Sequence, residues 1–143
     1  MATAPLLNAQ VAVPGKLSLR VELIGNEIAN ARSVQVRTEI KNVSGQDVSL
    51  LLSSPQDDFT FTVVGPDGTL AAMTRRAEAR PSTVPNGSHI LVTLPPQQAI
   101  TRICSLSDII DFSRPGTYRV AVSRRFEAIN ETQVSNTIEV KIP

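Results

Sequence analysis

Apolar and polar side chains alternate along much of this chain, and this two-residue period constrains the fold more than any other feature of the sequence. The clearest run covers residues 33–42, in which the inward positions are Val34, Val36, Thr38 and Ile40. The residues between them are polar or charged, which is the pattern of a strand with one buried face. Helical periodicity is nearly absent, so the sequence predicts an all-β protein.

Four further segments show the same alternation and predict strands at residues 16–24, 59–64, 117–122 and 137–142. Weaker strand candidates lie at residues 48–52, 69–73, 90–94 and 99–103. Turn-forming sequences separate these runs, namely GN at 25, NVSGQD at 42, GPDG at 65 and PNGS at 85. Short strands joined by such turns are typical of an antiparallel β-sandwich or a barrel.

Two stretches interrupt the alternation. Residues 74–88 carry three arginines and two prolines, and we expect an exposed loop because buried irregular backbone would leave polar groups unpaired. Residues 105–112, SLSDIIDF, lack the glutamate of a full capping box, so we expect at most one short helical turn near residues 107–112. Ile109 or Ile110, together with Phe112, would then close one end of the sandwich.

The length of 143 residues fits one domain that can bury a sizeable apolar core. We expect a single domain at residues 15–143, preceded by a tail or edge segment at residues 1–14. No apolar run approaches the roughly 20 residues that cross a bilayer, so we expect no membrane insertion. The first residues lack the pattern of a secretory signal. We expect a cytoplasmic protein, or an extracellular or periplasmic one if a signal has been removed.

The segment DFSRPGTYRV at residues 111–120 combines a Pro-Gly pair with a tyrosine that starts a strand. Pro115 and Gly116 suit the two central positions of a type II turn, where the second residue has a positive φ. Tyr118 has the same parity as Val120 and Val122, so its ring is predicted to be buried. Its hydroxyl then needs a nearby backbone partner, as in a tyrosine corner, and we interpret the segment as structural.

Residues 115–142, PGTYRVAVSRRFEAINETQVSNTIEVKI, resemble the last two strands of immunoglobulin-like and fibronectin type III-like sandwiches. IKNVSGQDVSL and FTFTVVGPDGTL are similar to the middle strands of bacterial immunoglobulin-like accessory domains. The chain lacks the paired cysteines and the core tryptophan of antibody domains. The resemblance implies a single antiparallel immunoglobulin-like β-sandwich of seven to nine strands. A fainter similarity to small bacterial immunoglobulin-like proteinase inhibitors carries no inhibitory motif, and transfers no site.

The amino-acid composition excludes most kinds of catalytic site and cofactor site. His89 and Cys104 are the only residues of their types, so a disulfide within the chain and a four-cysteine zinc site are impossible. Neither residue has the sequence setting of a catalytic nucleophile or base, and the acidic residues lack the spacing of a calcium loop. A net charge of +1 and scarce aromatic residues argue against nucleic-acid binding. We therefore predict a protein without enzymatic activity, metal or cofactor.

The remaining candidates for function are cationic side chains in the predicted loops. The candidate binding residues are Arg75, Arg76, Arg80, His89, Arg124 and Arg125. Such arginines would suit an acidic protein partner, although they equally serve as solvated charges that keep a sandwich soluble. We predict a binding or assembly module that contacts a protein partner through residues 75–88 and 124–132. The alternative is a small proteinase inhibitor that presents an exposed loop to a protease.

Overall fold

The computed structural model describes residues 15–25, 30–79 and 89–143, and these residues form an antiparallel β-sandwich. The strands in this part of the chain are β1 (Leu17–Leu23), β2 (Gln35–Asn42), β3 (Val48–Leu52), β4 (Thr60–Val64), β5 (Ile90–Leu94), β6 (Ala99–Ser105), β7 (Gly116–Phe126), β8 (Glu131–Val134) and β9 (Ile138–Ile142). The predicted all-β class, the antiparallel sheets and the range of seven to nine strands are confirmed.

The strands form two layers and an additional ladder. One sheet has the order β1-β2-β6, and in the other β7 pairs with β4 along one edge and with β8 and β9 along the opposite edge. β3 and β5 form a separate two-stranded ladder. This ladder continues the β2–β6 pair beyond an interruption at residues 43–47 and 95–98, because β3 follows β2 and β5 precedes β6.

Alternation places the apolar residues of both sheets in one core cluster. On β7, Tyr118, Val120 and Val122 are almost completely buried, as the sequence predicted. Val36 and Ile40 of β2 face them from the other sheet within the same cluster. The core is therefore made by strand parity, since residues two apart along a strand share one face.

Asn42 closes the corner where β2 gives way to β3. It is completely buried, and its side-chain amide donates to the carbonyls of Gln46 at 2.7 Å and Leu94 at 2.8 Å. Its side-chain oxygen accepts from the N–H of Ser44 at 2.9 Å and from the Ser44 hydroxyl at 2.7 Å. The predicted turn at NVSGQD thus has a buried polar residue whose hydrogen bonds are satisfied within the turn and by β5.

The turn before β7 has the predicted tyrosine corner. Tyr118 is 1% exposed, and its hydroxyl donates to the carbonyl of Arg114 at 2.7 Å. Gly116 has a φ of +133°, and a β-carbon at this position would lie 2.6 Å from the side chain of Pro66. Glycine is therefore required here for both its backbone angle and its small size.

Two strand assignments differ from the sequence prediction. Residues 69–73 do not form a strand, because the turn at Gly68 allows only an isolated bridge from Leu70 to Val64. The chain then leaves β4, and Met73 forms another isolated bridge to Ile110. β8 was not predicted at all, since its four residues are too few to show alternation.

Helical turns are more numerous than the single turn that the sequence predicted. The 3₁₀ turn Leu106–Asp108 lies where that turn was expected, and Ile109, Ile110 and Phe112 beyond it are buried. Three other turns are α1 (Pro55–Asp58), α2 (Arg75–Glu78) and the 3₁₀ turn Glu127–Ile129. Each is a single turn within a connection, too short for helical periodicity to appear in the sequence. None of the helices in the described ranges has the length and apolar character needed to cross a membrane.

Candidate functional site

Arg75 and Arg76 lie on α2, which begins at an N-cap residue tied to the sandwich. The Thr74 hydroxyl accepts from the N–H of Ala77 at 3.2 Å and donates to the carbonyl of Asp108 at 2.7 Å. The Thr74 N–H donates to the carbonyl of Ile109 at 2.8 Å, and Ala77 is buried beneath the turn. The start of the predicted loop is therefore a short helical turn fixed to one end of the sandwich.

Both α2 arginines are exposed, and no other described residue forms an ion pair with either of them. Two large apolar side chains before α2 are also accessible to solvent, since Leu70 is 60% exposed and Met73 is 46% exposed. We call Leu70, Met73, Arg75 and Arg76 the α2 end surface. Arginine and methionine are enriched in protein interfaces, whereas lysine and glutamate are depleted.

Arg125 lies at the other end of the sandwich. It follows Arg124 near the end of β7, where Phe126 pairs with Glu131, and the Glu131 carboxylate accepts from the N–H of Lys16 just before β1. β1 begins beside the end of β2, whereas α2 packs beside the end of β6, where β2 begins. Residues 75–79 and 124–132 therefore do not form one continuous surface.

Arg125 makes only local contacts. Its guanidinium lies 3.3 Å from the Thr132 hydroxyl and 3.5 Å from the Glu127 carboxylate, and it also contacts the side-chain oxygen of Asn130. Asn130 has a φ of +51°, which ends the 3₁₀ turn before β8. Arg125 thus helps to hold the β7–β8 connection while its side chain remains about half exposed.

Arg124 points into the sandwich instead of toward solvent. Only 9% of its side chain is exposed, and its guanidinium lies 3.9 Å from the carboxylate of Asp58. Arg102 of β6 reaches the same carboxylate at 3.0 Å. The guanidinium of Arg124 also lies over the rings of Phe59 at 5.8 Å and Phe126 at 5.0 Å. Burial lowers the pKa of Arg124, and the nearby Asp58 charge opposes that effect.

This buried charge cluster, Arg102, Asp58 and Arg124, was not recognised from the sequence, although the parity of the strands contains a signal for it. Arg124 continues the inward series of Tyr118, Val120 and Val122 on β7. In the same way, Arg102 lies between Ile100 and Cys104 on the inward face of β6. A charge at an inward position of a strand predicts a buried partner of opposite charge.

His89 and Arg80 complete the sequence-predicted set. His89 is exposed and directly precedes β5, on the far side of the predicted loop from α2. Arg80 lies outside the described residues, as does the rest of the loop up to Ser88. Of the six candidates, the structure brings Arg75 and Arg76 together on one turn and buries the charge of Arg124.

Cys104 is buried, and burial raises the pKa of its thiol to about 11, with a further contribution from Asp108. A thiol with this pKa is almost completely protonated near neutral pH, so it is a poor nucleophile. Among the described residues, no three histidine, cysteine, aspartate or glutamate side chains are grouped as metal ligands.

A shallow depression of about 190 Å³ lies near the tyrosine corner. Its polar side chains already pair with their neighbours: Asp67 accepts from Thr69 at 2.8 Å and from Arg114 at 3.2 Å. Asp111 accepts from the N–H of Ser113 at 2.9 Å. These hydrogen bonds lower the pKa of both carboxyl groups, so each remains ionised at neutral pH as a turn-forming residue.

No family model matches the chain, and no curated protein matches it. Among solved structures, the fold is similar to a CARDB domain from Pyrococcus furiosus in complex with di-metal ions, at 14% identity and a TM-score of 0.50 over 88% of this chain and 91% of that one. It is also similar to a β-glucosidase from Listeria innocua in complex with isofagomine, at 17% identity and a TM-score of 0.46 over 88% of this chain and 16% of the enzyme. A β-glucuronidase from Bacteroides uniformis matches at 13% identity and a TM-score of 0.43, over 87% of this chain and 13% of the enzyme.

The likeness to the CARDB domain supports an immunoglobulin-like β-sandwich, so the resemblance drawn from residues 115–142 is confirmed at the level of the sandwich. The finer assignment to the fibronectin type III-like branch stays a prediction. A likeness at this identity concerns the fold alone, because sandwiches of one architecture carry unrelated functions.

Proposed function

We propose that this chain is a non-catalytic immunoglobulin-like module that binds an acidic protein partner through the α2 end surface. The observation that carries the proposal is the pair of exposed arginines on a capped turn, together with exposed Leu70 and Met73 in the segment that leads to this turn. A guanidinium can pair with a carboxylate through two parallel hydrogen bonds, and adjacent apolar area stabilises the contact.

The chemistry of the described residues favours binding over catalysis. The only histidine, His89, is exposed, and the only cysteine, Cys104, has a raised pKa. Neither has a partner among the described hydrogen bonds that would activate it as a base or nucleophile.

The test compares partner capture by the wild-type protein with capture by Arg75→Ala/Arg76→Ala. The matched control is Lys16→Ala/Arg20→Ala, which removes two exposed cations, one just before β1 and one on it. Proteins captured from the source cells and their culture fluid are identified by mass spectrometry, purified and titrated against all three forms. We expect the α2 variant to weaken binding about tenfold or more, because it removes two guanidinium groups that would pair with carboxylates of the partner. A tenfold change corresponds to roughly 1.4 kcal/mol of binding free energy.

Equal affinities for the α2 variant and the control variant would contradict the proposal. A captured acidic protein that binds the control normally, and loses affinity as salt is added, would support it. Recovery of a protease whose activity the wild-type protein blocks would favour the proteinase-inhibitor alternative instead.

A further inference from the structure

Side chains close the open edge of β1. The Glu131 carboxylate accepts from the N–H groups of Lys16 at 3.0 Å and Leu17 at 3.1 Å. The side-chain amide of Asn136 accepts from the N–H of Val21 and donates to its carbonyl, both at 2.9 Å. These groups occupy the backbone positions that another strand would use, and thereby oppose pairing at this edge.

Two other edges are also occupied. Beside β4, the N–H of Ala71 donates to the carbonyl of Val63 at 2.9 Å, so the chain after the turn covers that edge. At β3, the guanidinium of Arg124 donates to the carbonyl of Leu51. Because Leu51 is opposite Leu91 in the ladder, a carbonyl that faces Arg124 points away from β5.

β5 differs from these strands. Within residues 15–25, 30–79 and 89–143, only β3 pairs with it, and no backbone group bonds to its other edge. Its sequence, ILVTL, has no charge and no proline. Ile90 is 63% exposed and Leu91 is 68% exposed. Proteins usually protect an edge with charges, prolines or a covering segment, and an uncharged apolar edge tends to pair with another strand.

The hydrogen-bond parity of the ladder identifies the free backbone groups. In an antiparallel pair, opposite residues alternate between hydrogen-bonded and non-hydrogen-bonded positions. Leu51 and Leu91 occupy a non-hydrogen-bonded position, since the Leu51 carbonyl faces Arg124. The same holds two residues away, at Ser49 and Thr93. The N–H and C=O groups of Leu91 and Thr93 therefore point to the free edge of β5.

We propose that β5 pairs antiparallel with β5 of a second copy of this chain, around a twofold axis at Val92. Val92 is the midpoint of the strand, so this register uses all five residues. It places Leu91 of each copy opposite Thr93 of the other, which joins the free backbone groups in four hydrogen bonds. It also places Ile90 opposite Leu94 and Val92 opposite its own counterpart.

A second copy of this chain is the expected partner of β5, because the edge of this strand is complementary to itself. In this register each inward apolar side chain faces another apolar side chain, and no charge faces a charge of the same sign. The contact is only one strand wide, so the surface area that it buries is well below the roughly 1,200 Å² typical of stable complexes. The dimer is therefore expected to be weak and reversible. The proposal does not rest on the α2 end surface, which uses other residues.

The test is sedimentation equilibrium of the whole chain from about 10 µM to about 1 mM, a range that covers weak association. Wild-type protein is expected to shift from monomer to dimer. Leu91→Lys/Thr93→Lys places like charges opposite each other in both symmetric pairs, and should raise the dissociation constant about tenfold or more. Leu91→Lys/Thr93→Glu places opposite charges there instead, and should restore dimerisation.

The matched control is Ile103→Lys, which adds a charge at a 58% exposed apolar position on β6 and should leave the dimer unchanged. Circular dichroism checks that each variant folds, which is expected because the side chains of residues 91 and 93 are exposed. A wild-type protein that stays monomeric throughout this concentration range would overturn the proposal. Equal weakening by the two charge variants, or loss of the dimer in Ile103→Lys alone, would also overturn it.

Discussion

The hydroxyl of Tyr118 joins the start of β7 to the turn that precedes it. It donates to the Arg114 carbonyl at 2.7 Å, while the ring packs edge-on against Phe112 at a centroid distance of 4.8 Å. Burial raises the pKa of this phenol, with a smaller opposing effect from its hydrogen bond to Arg114. The phenol thus remains protonated and able to donate at neutral pH.

Replacing this tyrosine by phenylalanine isolates the hydrogen bond. Tyr118→Phe keeps the ring contact and leaves the Arg114 carbonyl without its donor, so we expect unfolding to become easier by about 1–2 kcal/mol. Urea denaturation of both proteins gives the difference. The exposed substitution Thr117→Val is the control and should have a much smaller effect. Identical midpoints for wild type and Tyr118→Phe would show that the corner contributes nothing to stability.

At the scale of an element, Glu131 stabilises the start of β1 across the sandwich. Burial alone would raise the pKa of its carboxyl group, yet the pKa is lowered. Hydrogen bonds from the Lys16 N–H, from Gln133 and from the Leu17 N–H together outweigh burial, with help from the charge of Lys16. The ionised form is therefore the one that folding favours.

A pH dependence follows from that lowered pKa. The stabilisation by Glu131 is complete above its ordinary value of 4.5, and is lost as the pH falls through the lower value of the folded state. Glu131→Gln cannot ionise, so its unfolding free energy should fall less steeply in acid than that of the wild type. Urea titrations at a series of pH values measure both curves. Asp67 and Asp111 are present in both proteins, so parallel curves would count against this role for Glu131.

At the scale of the whole molecule, the buried charge cluster connects the two sheets. Arg102 belongs to β6 in one sheet, Arg124 belongs to β7 in the other, and Asp58 ends α1 between β3 and β4. The Asp58 carboxylate also accepts from the N–H and hydroxyl of Ser53, at 2.9 Å and 2.7 Å. One nitrogen of Arg124 is buried without a hydrogen-bond partner, so the pairing within the cluster is incomplete.

The central carboxylate is expected to contribute more to stability than either cation. Asp58→Asn leaves the nearly buried Arg124 and the partly buried Arg102 without their counter-charge, and we expect a loss of about 3 kcal/mol in unfolding free energy. Arg124→Met keeps much of the packing between Phe59 and Phe126, and should cost less than about 1 kcal/mol. The double variant should be more stable than Asp58→Asn alone. Thermal and urea unfolding of the four proteins test this, and a double variant that loses the full sum of both effects would refute it.

The candidate site was predictable only in part, because its residues depend on long-range contacts. Arg75 and Arg76 were identified from composition and lie exposed on one turn, but Thr74, which fixes that turn, acts through Asp108 and Ile109. Arg124 was identified as a surface candidate, although its parity with Tyr118 indicated an inward side chain. The edge of β5 that no other described residue pairs with was not identified from the sequence, since an edge is defined by which strands fail to pair.

The alternation of side chains by itself determined that this protein is an antiparallel β-sandwich, because a strand period of two residues fixes which side chains share the core. The Pro-Gly turn and Tyr118 were also decided locally, by backbone angles and a hydrogen bond within five residues. Only the tertiary structure decided the strand pairing, the enclosure of Asp58 by two arginines and the edge that β5 leaves unpaired within the described ranges. The two arginines that pair with Asp58 are 44 and 66 residues from it in sequence, and partners in the β3–β5 ladder are 38 to 46 residues apart, so no local pattern encodes their proximity.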